Sequence, residues 1–190
     1  MAQYEVTLAG FGGQGIMTAG QLLAYTGIEE KKQVVWLPSY GPEMRGGTAY
    51  CTVVISDARI GSPIINNPLA ACVFNRPSFD KFSPRIRPGG LLIVNSSLID
   101  VTTDRTDITE ILIPANKMAL EAGNPKVANI IILGAFIGAS KIVSYEKTIE
   151  VIKNKLGRKK ELLDMNLSVL EKGYKLALDA MKKAGKKEKA

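Results

Sequence analysis

VTLAGFGGQGIMTAG, Val6 to Gly20, decides the fold: an apolar run of strand length passes into a glycine cluster that opens a helix. Gly10, Gly12 and Gly15 stand in G-x-G-x-x-G spacing, after a predicted strand and before a predicted helix, the context in which this pattern makes an anion-holding turn. Glycines admit positive φ and close backbone approach, and the first N–H groups of a helix have no partner within it, so the turn offers donors to a phosphate. A dinucleotide site needs one residue more: an acid about 20 positions on, at the end of the second strand, that grips the ribose hydroxyls. Here that strand reads QVVWLP and ends on Leu37 and Pro38. The nearest acids, Glu29 and Glu30, precede it and read as the water-facing end of the helix. The turn therefore suits an anion better than a nicotinamide or flavin cofactor. A stand-alone dinucleotide-binding oxidoreductase is kept as the alternative.

Downstream, strand and helix alternate. Strands are predicted over Gln3 to Ala9, Gln33 to Leu37, Thr48 to Ser56, Leu69 to Asn75, Gly90 to Asn95 and Ile108 to Ile113, with Pro114 at a helix start. The first helix runs from Gly13 to about Gly27, with Ile16, Ala19, Leu23 and Tyr25 on or near one face. This predicts a three-layer α/β fold, a mostly parallel open sheet with helices on both faces, followed by C-terminal helices. Of these, Val127 to Ser140 (VANIIILGAFIGAS) sets Gly134, Ala135, Gly138 and Ala139 at helical spacing. Such a face lets another backbone come close, either within the sheet layer or against a second subunit, and Gly134 and Gly138 are the subunit-interface candidates. Helices near Tyr145 to Leu156 and Glu161 to Met181 follow, the last with a docking stripe of Leu163, Leu167, Leu170, Tyr174, Leu178 and Met181. Residues 1–181 read as one domain and 182–190 as a flexible basic tail.

Composition narrows the chemistry. The 190 residues carry a net charge of +7, but ten Lys or Arg against five Asp or Glu lie from Gly157 onward, so +5 belongs to the C-terminal segment and +2 to the rest. With no aromatic residues and no apolar stripe, KKAGKKEKA reads as a solvated end, and neither nucleic acid nor membrane is expected as a partner. No stretch approaches a membrane span and no leader is read at MAQYEVTLAG, so a cytoplasmic location is expected. The chain has no histidine, the commonest general base, and two separated cysteines, Cys51 and Cys72, which cannot complete a four-thiolate cluster or zinc site. There is no Walker lysine and no G-x-S-x-G. No residue of this chain is expected to be catalytic, and no metal is expected on it.

A second stretch, Leu37 to Cys51 (LPSYGPEMRGGTAYC), sets Tyr40, Glu43 and Arg45 among Gly41, Pro42, Gly46 and Gly47, more turn-formers than a simple turn requires. It reads as a shaped surface on the sheet edge that carries the glycine turn.

GFGGQGI followed by PSYGPEMRGGTAYCTVVISD, then IGSPIINNP, RPGGLLIVNSS and VANIIILGAFIGA, resembles the γ subunit of the 2-oxoacid:ferredoxin oxidoreductases of the pyruvate, 2-oxoisovalerate, 2-oxoglutarate and indolepyruvate family. The resemblance implies a non-catalytic subunit of an enzyme that oxidatively decarboxylates a 2-oxoacid to an acyl-coenzyme A and reduces ferredoxin. It implies α and β, and in some members δ, partner chains that hold thiamine diphosphate, magnesium and [4Fe-4S] clusters; a homodimer in isolation is a further expectation. Coenzyme A would approach Gly12, Gly13, Gln14, Gly15, Ser39 and Arg45, while Tyr40 and Glu43 would meet neighbouring subunits. The form YGPEMRGG is closer to members acting on 2-oxoglutarate or branched-chain 2-oxoacids than to the pyruvate type.

Overall fold

The computed structural model describes residues 3–39, 48–157 and 159–187. In chain order it contains β1 (Tyr4–Phe11), α1 (Ile16–Glu29), β2 (Gln33–Ser39), β3 (Thr48–Ser56), β4 (Ala70–Val73), α2 (Arg76–Phe82), β5 (Leu91–Asn95), β6 (Thr109–Ile113), α3 (Ala115–Glu121), α4 (Ala128–Ser140), α5 (Tyr145–Leu156) and α6 (Lys160–Lys187). The six strands form one sheet in the order β2-β3-β1-β4-β5-β6. β1, β4, β5 and β6 pair in parallel, while β3 is antiparallel to both β1 and β2. The sheet is thus mixed, with β3 alone running against the rest.

Both sheet faces are apolar at the centre, as strands covered on two sides must be. Val6, Leu8, Cys51, Val53, Cys72, Ile93 and Ile111 point to a large core shared with α1, α3, α4, α5 and α6. Ala9, Ala71, Val73, Leu92 and Val94 point to a smaller one closed by Phe79 and Phe82 of α2. α2 is a helix that hydrophobic spacing does not announce. It starts where Asn75 accepts the Ser78 N–H at 2.9 Å, so β4 stops at Val73 rather than Asn75.

α4 lies at the centre of the large core and is buried on all sides from Ala128 to Gly138. Its small-residue face is filled by α6 of the same chain. A Cβ on Gly134 would stand 2.2 Å from the Leu170 carbonyl oxygen, one on Gly138 2.6 Å from that of Tyr174, and one on Gly173 of α6 2.1 Å from that of Ile131. The glycines admit backbone against backbone, so Gly134 and Gly138 pack within the chain, against α6.

Three smaller expectations are also corrected. Tyr25 stands outside the core with the Lys155 ammonium 3.9 Å from its ring centre. Glu30 does not face water: it accepts the Ser144 N–H at 2.5 Å and pairs with Lys32 at 3.0 Å, tying the end of α1 to the α4–α5 turn. α6 runs on to Lys187, beyond the Met181 at which its predicted stripe ends.

Candidate functional site

The carboxyl ends of β1, β4, β5 and β6 and the start of β3 share one edge of the sheet, and the glycine turn sits on it, with Phe11 opposite Thr48. Gln14 closes the turn: its backbone N–H donates to the Phe11 carbonyl at 3.2 Å, and its side-chain oxygen accepts the Phe11 N–H at 2.6 Å. Gly15 begins α1 in the left-handed region, φ 75°, which costs a glycine little. Among the described residues no side chain caps this end, and no acid stands in the first turn, so the leading N–H groups suit an external anion.

Beside the turn opens a cleft of about 220 Å³, lined by Gly13, Gln14, Phe74, Asn116, Pro125, Lys126 and Ala128.

 Lys126 arrives there on the short turn Pro125–Val127, whose entry is fixed by Asn124 accepting the Lys126 N–H at 3.0 Å. Its ammonium makes no ion pair among the described residues. Asn116 is oriented by Asn95, which donates to its side-chain oxygen at 2.7 Å, leaving the Asn116 amide hydrogens for the cleft. Gln14 and Asn116 thus give the cleft neutral polar groups beside the apolar Phe74, Pro125 and Ala128, and Lys126 is the cation among its described lining residues.

Of the predicted site residues, Gly13 and Gln14 line this cleft, and Gly12 and Gly15 belong to the same turn. Ser39 lies on the same edge but pairs with Tyr50, which in turn pairs with Ala9, so it is two strand spacings from β1, about 10 Å. Tyr40, Glu43 and Arg45 lie outside the described residues. Sequence reasoning missed Lys126 and Asn116. The signal for the first was Asn124–Pro125, a turn and helix-entry pair that sets the next residues at a helix mouth.

The topology also explains the missing ribose acid. In a dinucleotide-binding sheet the second strand lies beside the first, whereas here β3 fills that slot. An acid at the end of β2 would stand too far from the turn to serve a ribose there. The two thiols belong to the core: burial pushes Cys51 up to about 12 and Cys72 higher still, so both are neutral. Among the described residues, no group of three His, Cys, Asp or Glu could hold a metal, and no helix is long and apolar enough to cross a membrane.

A family model described as pyruvate ferredoxin/flavodoxin oxidoreductase matches residues 5–176. The chain belongs to this oxidoreductase family. Within the family it is similar to the ketoisovalerate oxidoreductase subunit VorA of Methanothermobacter marburgensis, 36% identical over 172 residues that make up 90% of this chain and 36% of VorA. The chain therefore spans about a third of that relative's length. It is also similar to the 2-oxoglutarate synthase subunit KorC of Methanocaldococcus jannaschii, 37% identical over 178 residues, 91% of this chain and 93% of KorC. Among solved structures, the keto/oxoacid ferredoxin oxidoreductase γ subunit from Geobacter sulfurreducens superimposes with a TM-score of 0.80 at 29% identity, covering 93% of this chain and 99% of that one.

Proposed function

We propose that this chain is the γ subunit of a multisubunit 2-oxoacid:ferredoxin oxidoreductase, that it scaffolds the α and β chains, and that its glycine turn borders the coenzyme A site. The observation that carries the reading is the near end-to-end match to KorC. The turn supports the coenzyme A part, because α1 N–H groups and a Lys126 that have no side-chain cap or ion pair among the described residues make a cradle for a phosphate-bearing ligand. Gly12, Gly13, Gln14, Gly15 and Lys126 would hold the anionic end, and coenzyme A would supply the thiol that accepts the acyl group. Ser39 and Arg45 keep their place in the proposed site, and Tyr40 and Glu43 theirs at the subunit junction. Thiamine diphosphate, magnesium and the iron–sulfur clusters belong to the partner chains, as the two buried cysteines supply no cluster ligand set. The names of VorA and KorC, with YGPEMRGG, favour a branched-chain 2-oxoacid or 2-oxoglutarate over pyruvate as substrate. The complex works in the cytoplasm.

The test is reconstitution. The pure chain, given a 2-oxoacid, coenzyme A and a viologen acceptor, reduces nothing, whereas its omission from the assembled complex abolishes turnover. Sustained viologen reduction by the pure chain overturns the assignment.

A further inference from the structure

Two segments far apart in the chain meet at the mouth of α1. Asn129, in the first turn of α4, is 5% exposed and donates from Nδ2 to the Gly15 carbonyl at 3.0 Å. Its Oδ1 accepts the Ile130 N–H at 3.0 Å, so the carboxamide is held at both ends. The fit is reciprocal: a Cβ on Gly15 would come within 2.5 Å of Asn129 Nδ2. The carboxamide fills the space that any other residue at position 15 would occupy.

The Gly15 carbonyl also accepts the N–H of Ala19 at 3.0 Å, the first turn of α1. It shares a peptide plane with the Ile16 N–H, one of the donors that α1 leaves unpaired. Fixing the carbonyl therefore fixes the direction of that donor. Asn129 is not among the residues lining the cleft, whereas Lys126, three positions earlier, is.

The geometry points to Asn129 as a positioning residue: it acts through Gly15 to hold the glycine turn and the leading N–H groups of α1 in the form that receives the anionic end of coenzyme A. This rests on the reading that coenzyme A is the ligand of the turn. One continuous segment, Asn124 to Asn129, then supplies both a wall of the site and its clamp.

The test uses the full chain assembled with its partner subunits, carrying Asn129→Ala or the milder Asn129→Ser, with two readouts. Hydrogen exchange without ligand is expected to quicken about fivefold or more over residues 12–18, while β4 and β5 keep their protection. The KM for coenzyme A is expected to rise by a similar factor, with kcat and the 2-oxoacid KM within about twofold. Unchanged exchange over 12–18, or an equal quickening throughout the chain, overturns the positioning role. Coenzyme A added to the unaltered complex tests the underlying reading by slowing exchange over 12–18. If it gives no protection while the variants still loosen the turn, the coenzyme A assignment falls and the clamp stands. If it protects and the variants alter neither readout, the clamp falls and the site stands. Should the alanine variant fail to assemble, the serine variant decides.

Discussion

At the scale of single residues, the two thiols show how position overrides reactivity. Cys51 and Cys72 sit on β3 and β4, each paired across β1 with Leu8, and neither is exposed. Burial penalises the thiolate, raising Cys51 to about 12 and Cys72 further. A raised thiol stays protonated below its shifted value, so at pH 8 both are unreactive as long as the chain is folded. A disulfide-exchange reagent such as DTNB should titrate neither thiol in native protein and both in guanidinium chloride. Fast labelling of one thiol in the native chain would show that the strand carrying it opens. Lys126 teaches a different lesson about legibility. The glycine turn is readable because its spacing is local, but the cation beside it lies more than a hundred positions further along the chain, and only the folding of α4 against α1 brings it there.

Among the elements, the α4–α6 contact is the most constrained. Because Gly134, Gly138 and Gly173 each face a backbone carbonyl or its neighbours, a larger side chain has no rotamer to retreat into. Gly138→Leu should therefore lower the thermal stability of the isolated chain, by about 1–3 kcal/mol or more, as overpacking does. Thermal unfolding followed by circular dichroism checks this. An unaltered midpoint together with lost subunit assembly would return the glycine to an interface. The sequence announced that some backbone approaches α4 closely, since small residues at helical spacing say so; whose backbone it was could not be read, because a stripe has no address. α2 escaped for another reason: its seven residues give too few apolar positions for a period, although Asn75 and Pro77 marked its start. β3 is legible as a strand, but its antiparallel direction is not, because reversing a strand leaves its alternation of inward and outward residues unchanged.

For the molecule as a whole, the strand order has a consequence for the order of events during synthesis. β1 and β2 point the same way and are joined by α1, yet they do not touch, because β3 lies between them. As it leaves the ribosome, this β-α-β segment therefore has no strand pair of its own. β1 bonds only to β3 and β4, both made later, so a nascent chain ending before Thr48 presents two unpaired, largely apolar strands. Arrest-peptide force measurements on nascent chains that start at Met1 and grow in length should find no folding event until Ser56 has cleared the exit tunnel, and a pull generated by a shorter chain would contradict this. Until then the emerging β1-α1-β2 segment is a natural client for a holding chaperone, and translation speed across Thr48 to Ser56 sets how long it needs one.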